Sequence, residues 1–287
     1  MIDLHMHTTA SDGRLSPAAL VAEVRAAGIT AFSVTDHDTL AALPEVRALA
    51  AQAGLEFLGG IEVTAVRAGE DVHVLGYGFD EESPLLLAFL RSQRADRVVR
   101  VREMGRRLAD LGVPVDVDAV VADAERHGSR TVGRPALADA LVRAGRAASR
   151  REAFDRWLGR DRPAYVPRRG PAPREVVRVL TDAGGLASVA HPGLLARDGF
   201  LPGLRAAGLA AIEVYHSDHT PAQRARYAAL ADELGLARTG GSDYHGHDPG
   251  RPRPLGRCRL PRVHYERLLA EGRRRGCPRL PRRHVRV

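Results

Sequence analysis

Lysine is absent from the sequence, and this affects how its charge is interpreted. All 43 basic residues are arginine, against 35 acidic residues, so the formal net charge is +8. A positive surface attracts phosphates, but the uniform use of arginine indicates a compositional bias as readily as selection for binding. The charge is therefore compatible with a phosphorylated ligand and does not by itself establish one.

Cysteine is scarce, and long apolar runs are missing. Cys258 and Cys277 do not form a C-x-x-C pair, which argues against a disulfide scaffold and a zinc knuckle. No stretch of about 18 apolar residues is present, and the chain starts with a strand pattern instead of a signal peptide. We therefore expect a cytoplasmic protein that has no membrane contact, and no obligate protein partner is evident. The 287 residues suffice for one large α/β domain or two smaller ones.

The motif His5-Met6-His7, followed by Asp12 in a glycine-containing turn, has the outline of a metal site. Side chains two positions apart on a strand point to the same face, so the two imidazoles would meet at one point. Imidazole nitrogens and a carboxylate oxygen together suit zinc, iron or manganese. Paired histidines also occur by chance on half-buried strands, so the motif needs support from the rest of the chain.

That support comes from the alternation of apolar strands with helical stretches, in which strand after strand ends in metal-type residues. In the first part of the chain, polar groups follow or interrupt strands near residues 2–6, 31–34, 57–58 and 72–77; in the last part they follow strands at 186–190 and 210–215 and continue through 239–245. In a barrel of parallel strands, the carboxyl ends converge on one face. About seven such strand ends predict a single site that holds several metal ions.

The hydrophobic pattern of the sequence changes after about residue 84, where apolar residues recur at helical spacing. We predict a first barrel segment at residues 1–95, a mostly helical insertion at 96–163, and a second barrel segment at 164–287. The insertion contains Arg134 in the turn-like motif Gly133-Arg134-Pro135-Ala136. The last segment ends in an arginine-rich tail, residues 273–286, for which a frayed, solvated state is favoured over a nucleic-acid or partner-binding role.

These ordered motifs resemble those of the PHP family, the polymerase and histidinol phosphatase superfamily of metallo-phosphoesterases. The resemblance rests on six motifs: His5-Met6-His7 with Ser11-Asp12-Gly13, Thr35-Asp36-His37-Asp38, Gly60-Ile61-Glu62, Val72-His73-Val74, Ala190-His191-Pro192 and Ser242-Asp243-Tyr244-His245. It implies a distorted (β/α)7 barrel and two or three divalent metals, with manganese favoured and iron or zinc as alternatives. The short first loop and the insertion resemble the branch that removes the 3′-phosphate from 3′,5′-bisphosphonucleotides. Some members of that branch trim short RNA from the 5′ end.

The resemblance also implies which residues bind the metals. One ion would take His5, His7 and Asp243, a second His73 and His191, and a third the remaining residues, with Glu62 as a bridge. Asp3, Asp36 and Asp38 would orient ligands without binding metal, since a ligating histidine usually donates its other nitrogen to an acceptor. The full set of predicted ligands is His5, His7, Asp12, His37, Glu62, His73, His191, Asp243 and His245.

A metal-bound hydroxide would then attack the phosphorus, so no serine or cysteine nucleophile is required. Candidates for the proton donor to the leaving oxygen are Asp12, His37 and His216. Substrate contacts are predicted for Arg134, His216 and His219, because a guanidinium fits phosphate well and both histidines follow the sixth strand. A histidine often found two residues after the arginine in related phosphatases is replaced here by Ala136.

We therefore predict a metal-dependent phosphomonoesterase acting on a small phosphorylated nucleotide. One rival is a 5′-3′ exoribonuclease on short RNA, which would use the same centre. A second is histidinol-phosphate phosphatase, against which the insertion and the short first loop argue. A third is a non-catalytic binding module, which should show degraded ligands, whereas all nine are intact.

Overall fold

The structure is a computed structural model that describes residues 1–126, 131–195, 198–247 and 254–281. It is an α/β fold whose first three strands form a small parallel sheet in the order β1-β2-β3. The register pairs Ile2 with Ala31 and Phe32 with Phe57. The strands are β1 (Ile2–Asp3), β2 (Ala31–Phe32) and β3 (Glu56–Phe57).

A second sheet has five strands in the order β4-β5-β6-β7-β8. The second strand of this order, β5, runs antiparallel to both of its neighbours, whereas β6, β7 and β8 are parallel. The expectation of uniformly parallel strands is therefore wrong for β5. The strands are β4 (Gly60–Arg67), β5 (Glu70–Tyr77), β6 (Leu186–Val189), β7 (Ala211–His216) and β8 (Ala237–Gly241).

The two sheets are joined at both edges by single bridges. His37 pairs with Glu62 on one side, and Met6 pairs with Tyr244 on the other. The backbone N–H of Leu4 also donates to the carbonyl of Gly240 at 3.1 Å. The predicted α/β class is confirmed, but among the described strands the ladders form two sheets and not one closed seven-stranded barrel.

Helices cover the outside of this layer. Helix α1 (Pro17–Ala26) begins after Ser16, whose hydroxyl accepts a hydrogen bond from the backbone N–H of Ala19. Gly28 follows it with a φ of 69°, a left-handed conformation that suits glycine. The other helices are α2 (Leu43–Gln52), α3 (Pro84–Asp110), α4 (Val117–Arg126), α5 (Arg134–Arg143), α6 (Arg150–Ala153), α7 (Pro173–Asp182), α8 (Leu201–Ala206), α9 (Pro221–Glu233) and α10 (Arg262–Arg275).

Helix α3 links two hydrophobic cores. Its first turns bury Leu86 and Leu90 in the core around the strands. Its later turns bury Met104 and Leu108 in a separate core with Leu141, among helices α3, α4, α5 and α6. The helical character predicted after residue 84 is thus found, while the boundaries at residues 96 and 163 stay a prediction.

The last described element differs from the frayed tail predicted from residue 273. Helix α10 continues to Arg275, and the Glu271 carboxylate accepts hydrogen bonds from Arg274 and Arg275. Residues 282–287 of the predicted tail lie outside the described residues. Across the described ranges, none of the helices combines the length and the apolar character needed to cross a membrane.

Candidate metal centre

Glu62, buried near the start of β4, lies at the middle of a cluster of histidines. Five imidazoles have a nitrogen within 2.8–3.3 Å of its carboxylate oxygens. His73 and His191 approach Oε1, whereas the other three approach Oε2: His5, His7 and His37. A carboxylate with nitrogen ligands on both oxygens has the arrangement needed to bridge two cations.

Two more carboxylates extend the cluster. Asp243 Oδ1 lies 3.3 Å from His7 Nε2 and 3.5 Å from His5 Nε2. Asp12 Oδ1 lies 3.2 Å from His245 Nε2, and Asp12 Oδ2 lies 3.8 Å from His37 Nε2. The structure therefore brings all nine predicted ligand residues into one cluster, although they come from both ends of the chain.

The antiparallel direction of β5 explains why one histidine of the cluster lies inside a strand. The backbone N–H of Ala190, at the end of β6, donates to the carbonyl of His73 at 3.0 Å. His73 in the interior of β5 is thereby level with the carboxyl end of β6, where His191 follows. The ring centroids of the two histidines are 5.1 Å apart.

Buried ring nitrogens that lack a hydrogen-bond partner test whether cations fit this cluster. Nε2 of His5 and of His7 and Nδ1 of His37 are buried and lie 3.2–3.3 Å from Glu62 Oε2, but none of them makes a hydrogen bond of proper geometry among the described residues. Leaving buried polar atoms unpaired is costly, and a divalent cation would accept their lone pairs while neutralising the carboxylates. The donor set of imidazoles and carboxylates suits manganese, iron or zinc.

The ligating atoms fall into overlapping groups whose members lie within 4.8 Å of one another. One group joins His7 to the predicted trio of Asp12, His37 and His245. Another joins His5 and Asp243 to His191, where the resemblance had placed His7. A third combines His37, Glu62 and His73. These groups leave room for more than one ion and share residues between ions.

The charges of the cluster hold its carboxylates ionised. Burial would raise the pKa of Glu62, but interactions with the imidazoles of His37 and His73 outweigh it and keep that pKa well below its usual range. Burial likewise opposes ionisation of Asp243, whose pKa is held well below normal by His5 and His245. The site therefore presents negative oxygens to a cation.

Glu213 is a functional-site residue that the sequence analysis did not single out. It is buried in β7, where Oε1 accepts a hydrogen bond from His5 Nδ1 at 3.0 Å and Oε2 accepts one from the backbone N–H of His191 at 2.7 Å. The first contact leaves His5 Nε2 free for a metal, as expected for a ligating histidine. The only signal in the sequence was one acidic residue inside an otherwise apolar strand.

The three aspartates predicted to orient ligands hold backbone, hydroxyl and arginine groups close to the cluster. Asp36 accepts hydrogen bonds from the Thr8 backbone N–H and hydroxyl and from the Ser11 hydroxyl, which fixes the first loop. Asp3 accepts from the backbone N–H of Ser242 at 2.9 Å. The third, Asp38, accepts from the backbone N–H of Thr64 and pairs with arginine side chains, described below.

The two histidines predicted after the sixth strand have different environments. His216 belongs to the cluster: its Nδ1 accepts a hydrogen bond from the Asp218 backbone N–H, and its Nε2 lies 3.5 Å from Asp243 Oδ2. His219 is buried, and backbone groups use both of its nitrogens: Nε2 accepts from the Gly193 N–H, and Nδ1 lies 3.0 Å from the Val214 carbonyl. This arrangement differs from the predicted substrate contact, because neither nitrogen of His219 is left for a phosphate.

Arg134 lies with three other arginines, which we call the arginine cluster: Arg97, Arg100, Arg134 and Arg168. The Arg134 guanidinium stacks 5.5 Å from the Tyr165 ring centroid, and that of Arg100 lies 5.7 Å from the same centroid. Burial, together with the charge of Arg97, lowers the pKa of Arg168 to about 9. The sequence had pointed to Arg134 alone.

Two aspartates partly compensate the arginine cluster. Arg97 donates to Asp38 at 2.6 Å, and Arg168 lies 3.6 Å from Asp38 and 3.9 Å from Asp71. Burial opposes ionisation of Asp71, but the charges of Arg168 and His73 lower its pKa. Asp71 lies two residues before His73, and Asp38 directly follows His37. The arginine cluster therefore lies beside the metal centre. Four guanidinium groups against two carboxylates leave an excess of positive charge at this edge.

Three residues in or beside the centre have left-handed backbone conformations unusual for non-glycine residues. The φ angles are 52° at Asp38, 27° at His191 and 54° at Asp243. Such conformations cost roughly 1–3 kcal/mol each and tend to occur at functional sites. At His191 and Asp243 they turn the chain directly after β6 and β8.

Comparison with known proteins agrees with this geometry. The family model described as "PHP domain" matches residues 3–105. A "5'-3' exoribonuclease" from Haemophilus influenzae is 34% identical over 85% of this chain and 89% of its own. A "3',5'-nucleoside bisphosphate phosphatase" from Chromobacterium violaceum is 33% identical over 87% of this chain and 88% of its own.

A solved structure extends the similarity to the whole fold. A protein from Bifidobacterium adolescentis, assigned as a metal-dependent phosphoesterase, is 34% identical and superposes with a TM-score of 0.86. The match covers 94% of this chain and 96% of that one.

Proposed function

The chain belongs to the PHP domain family, whose members are metal-dependent phosphoesterases, and on that basis we propose that it hydrolyses the 3′-phosphate of a 3′,5′-bisphosphonucleotide. The observation that supports this substrate is the arginine cluster beside the metal centre. A bisphosphonucleotide has two phosphates, one to be hydrolysed and one to be held. The metal centre and the arginine cluster are two adjacent sites suited to these two anions.

Two or three divalent ions would occupy the centre, with manganese favoured over iron or zinc. Their ligands would be the nine residues of the sequence prediction, with Glu62 shared between ions. When bound, such ions neutralise phosphate oxygens, lower the pKa of a water and stabilise the entering and leaving oxygens of an in-line displacement.

The protein's own groups would hold this arrangement in place. Glu213 fixes the ring of His5, and Asp36 fixes the loop that carries Asp12. Candidates for the proton donor to the leaving ribose oxygen remain Asp12, His37 and His216. Burial lowers the pKa of His37 to about 3, so this imidazole is neutral and suited to ligation more than to proton donation.

We assign recognition of the second phosphate to Arg134. Its guanidinium is held by stacking on Phe154 and Tyr165, and no carboxylate of the described chain lies within ion-pair distance of it. We further propose that residues 96–163 form a cap on a distorted (β/α)7 barrel and bring Arg134 to the metal centre. In this arrangement, His219 supports the turn at Gly193 and does not contact substrate.

The experiment that tests this proposal measures products of the manganese-loaded protein from adenosine 3′,5′-bisphosphate, AMP, histidinol phosphate and a 5′-phosphorylated oligoribonucleotide. We expect phosphate release that strongly favours the bisphosphate. Equal turnover of AMP and the bisphosphate would contradict a role for a second phosphate. Preference for histidinol phosphate would contradict a nucleotide substrate and indicate histidinol-phosphate phosphatase activity.

A second candidate function is 5′-3′ exoribonuclease activity on short RNA. It is favoured by the Haemophilus influenzae relative, which is as similar to this chain as the phosphatase relative is. Release of mononucleotides from the oligomer in the same assay would support it.

A further inference from the structure

A cavity of about 670 Å³ lies beside the metal centre, and the proposed hydrolysis of the bisphosphate assigns it no role. One part of its wall is the first loop, including Thr9, Ser11 and Asp12. The rest comes from helices α4 and α5 and from the segments that precede them. Its volume is within the range of sites that hold small molecules.

The cavity meets the metal centre at Asp12, which both lines it and lies 3.2 Å from His245. The arginine cluster meets the centre at a different edge, where Arg168 lies 3.9 Å from Asp71, two residues before His73 in β5. The segment at Val132 separates the cavity from the arginine cluster. Val132 lines the cavity, while its carbonyl accepts a hydrogen bond from Arg97 at 3.4 Å. A ligand could therefore extend from the metals in two directions.

The cavity wall combines small apolar side chains with charged groups of both signs; Asp116 accepts a hydrogen bond from the backbone N–H of Ala119 at 2.8 Å. Its apolar part includes Val115, Val120, Ala124, Ala136 and Ala140, which suits the faces of a ribose or a base. Most charged side chains of the wall already have partners, as the following contacts show.

Arg126 binds Asp123 at 3.2 Å, and Arg150 binds Asp139 through two hydrogen bonds of 2.5 Å. The remaining arginine of the wall, Arg143, is exposed and has no ion pair within the described part of the chain. A wall of this kind suits a nucleotide, which has apolar faces and one anionic phosphate.

The geometry points to a subsite for the nucleotide that follows the scissile phosphate in a 5′-phosphorylated oligoribonucleotide; this rests on the proposed function. In the bisphosphate, water adds to phosphorus, the P–O3′ bond breaks, and O3′ leaves as a hydroxyl with a proton from that water. In the oligomer the same bond breaks, but phosphorus stays bonded to O5′ of the next nucleotide. The products are a mononucleotide and a shortened 5′-phosphorylated chain.

The next nucleotide of an oligomer cannot use the arginine cluster, which would hold the 5′-phosphate of the first. It needs space at another edge of the metal centre, and the cavity at Asp12 provides it. The bisphosphate has no atoms in this direction. The two substrates therefore differ in their dependence on the cavity and on nothing else in the site.

Cavity-filling variants test the inference. Ala144→Phe fills the cavity from the end of α5, and Ala119→Trp fills it from α4, both at exposed positions that tolerate a large side chain. Ala148→Phe, exposed and outside the cavity, is the matched control. For each manganese-loaded protein, mononucleotide release from a 5′-phosphorylated trinucleotide is compared with phosphate release from adenosine 3′,5′-bisphosphate.

We expect both cavity variants to lose about tenfold or more in kcat/KM for the trinucleotide, while the bisphosphate rate stays within about twofold. Equal losses on both substrates, or no loss on either, would overturn the subsite. Wild-type protein that hydrolyses the bisphosphate but not the trinucleotide would overturn the subsite and keep the phosphatase. Failure of the wild type on both substrates would overturn the proposed function itself.

Discussion

Glu213 Oε1 accepts a hydrogen bond from His5 Nδ1 at 3.0 Å, and this contact joins two residues that are 208 positions apart in the sequence. Both side chains are buried. The bond selects the tautomer of His5 that presents Nε2 to Glu62 and Asp243. One carboxylate in the second sheet thus sets the orientation of a ligand from the first.

Replacement of Glu213 by glutamine should lower the metal affinity of the centre without abolishing metal binding. The amide has the same shape but loses the charge that favours the Nδ1–H tautomer, so we expect metal affinity or activity to fall roughly 10- to 100-fold. Metal titration followed by steady-state kinetics measures both. The exposed Glu233→Gln variant in α9 is the control. Unchanged metal affinity in Glu213→Gln would show that the contact is only structural.

Glu62→Gln should have a larger effect. Because Glu62 contacts five imidazoles, the loss of its charge removes the shared ligand of the centre. We expect both bound manganese, measured by elemental analysis after dialysis, and phosphate release to fall below those of Glu213→Gln. His191→Ala should also lose metal, whereas the exposed Glu45→Gln should not. Full metal content and activity in both Glu62→Gln and His191→Ala would refute the shared-ligand arrangement.

Arg134→Lys should distinguish a bidentate phosphate contact from a general positive charge. Lysine keeps the charge but cannot donate two parallel hydrogen bonds. We expect KM for adenosine 3′,5′-bisphosphate to rise about tenfold or more, with little change for a substrate that has only the 3′-phosphate. Arg156→Lys is a suitable control, since Arg156 also stacks on an aromatic ring, that of Trp157. Equal effects on the two substrates would argue against the assignment.

The ion pairs of Glu271 predict a small pH-dependent contribution to stability. Hydrogen bonds from Arg274 and Arg275, the former stronger, lower the pKa of Glu271 from 4.5 to about 2. A lowered carboxyl pKa stabilises the fold above the unfolded-state value, and this stability is lost as pH falls towards the folded-state value. Glu271→Gln should therefore cost less than about 1 kcal/mol near neutral pH, because the pair is partly exposed.

Urea unfolding of wild type and Glu271→Gln at about pH 7 and about pH 3 measures that difference. The gap between the two proteins should shrink at the lower pH. If the difference in stability between the two proteins is the same at both pH values, the effect of the substitution arises from packing and not from charge. The exposed Glu125→Gln variant in α4 should show neither effect.

The sequence identified the site better than it identified the strands that carry it. Metal-type residues at successive strand ends are visible without coordinates, and the nine of them do come together. Strand β4 was missed, because strands were predicted near residues 57–58 and 72–77 and none between them. A side chain at Gly60 would collide with Ser33, so the glycine permits a close approach between the sheets.

Other features depend on contacts that no local pattern contains. Glu213 is ordinary in its own strand and gains its role from His5. The direction of β5 is set by its long hairpin with β4, which pairs Gly60 with Tyr77 and Arg67 with Glu70. A substrate contact was predicted for His219 from its position after a strand, whereas its burial follows from packing against Tyr227.

The left-handed backbone at His191 and Asp243 has a consequence for the metal-free protein. Conformational strain and unpaired buried nitrogens oppose folding, and cation binding would offset them, so binding free energy is also folding free energy. A chelator would then act as a denaturant of this region as well as an inhibitor. The temperature at which the protein unfolds should depend on the concentration of free divalent ion.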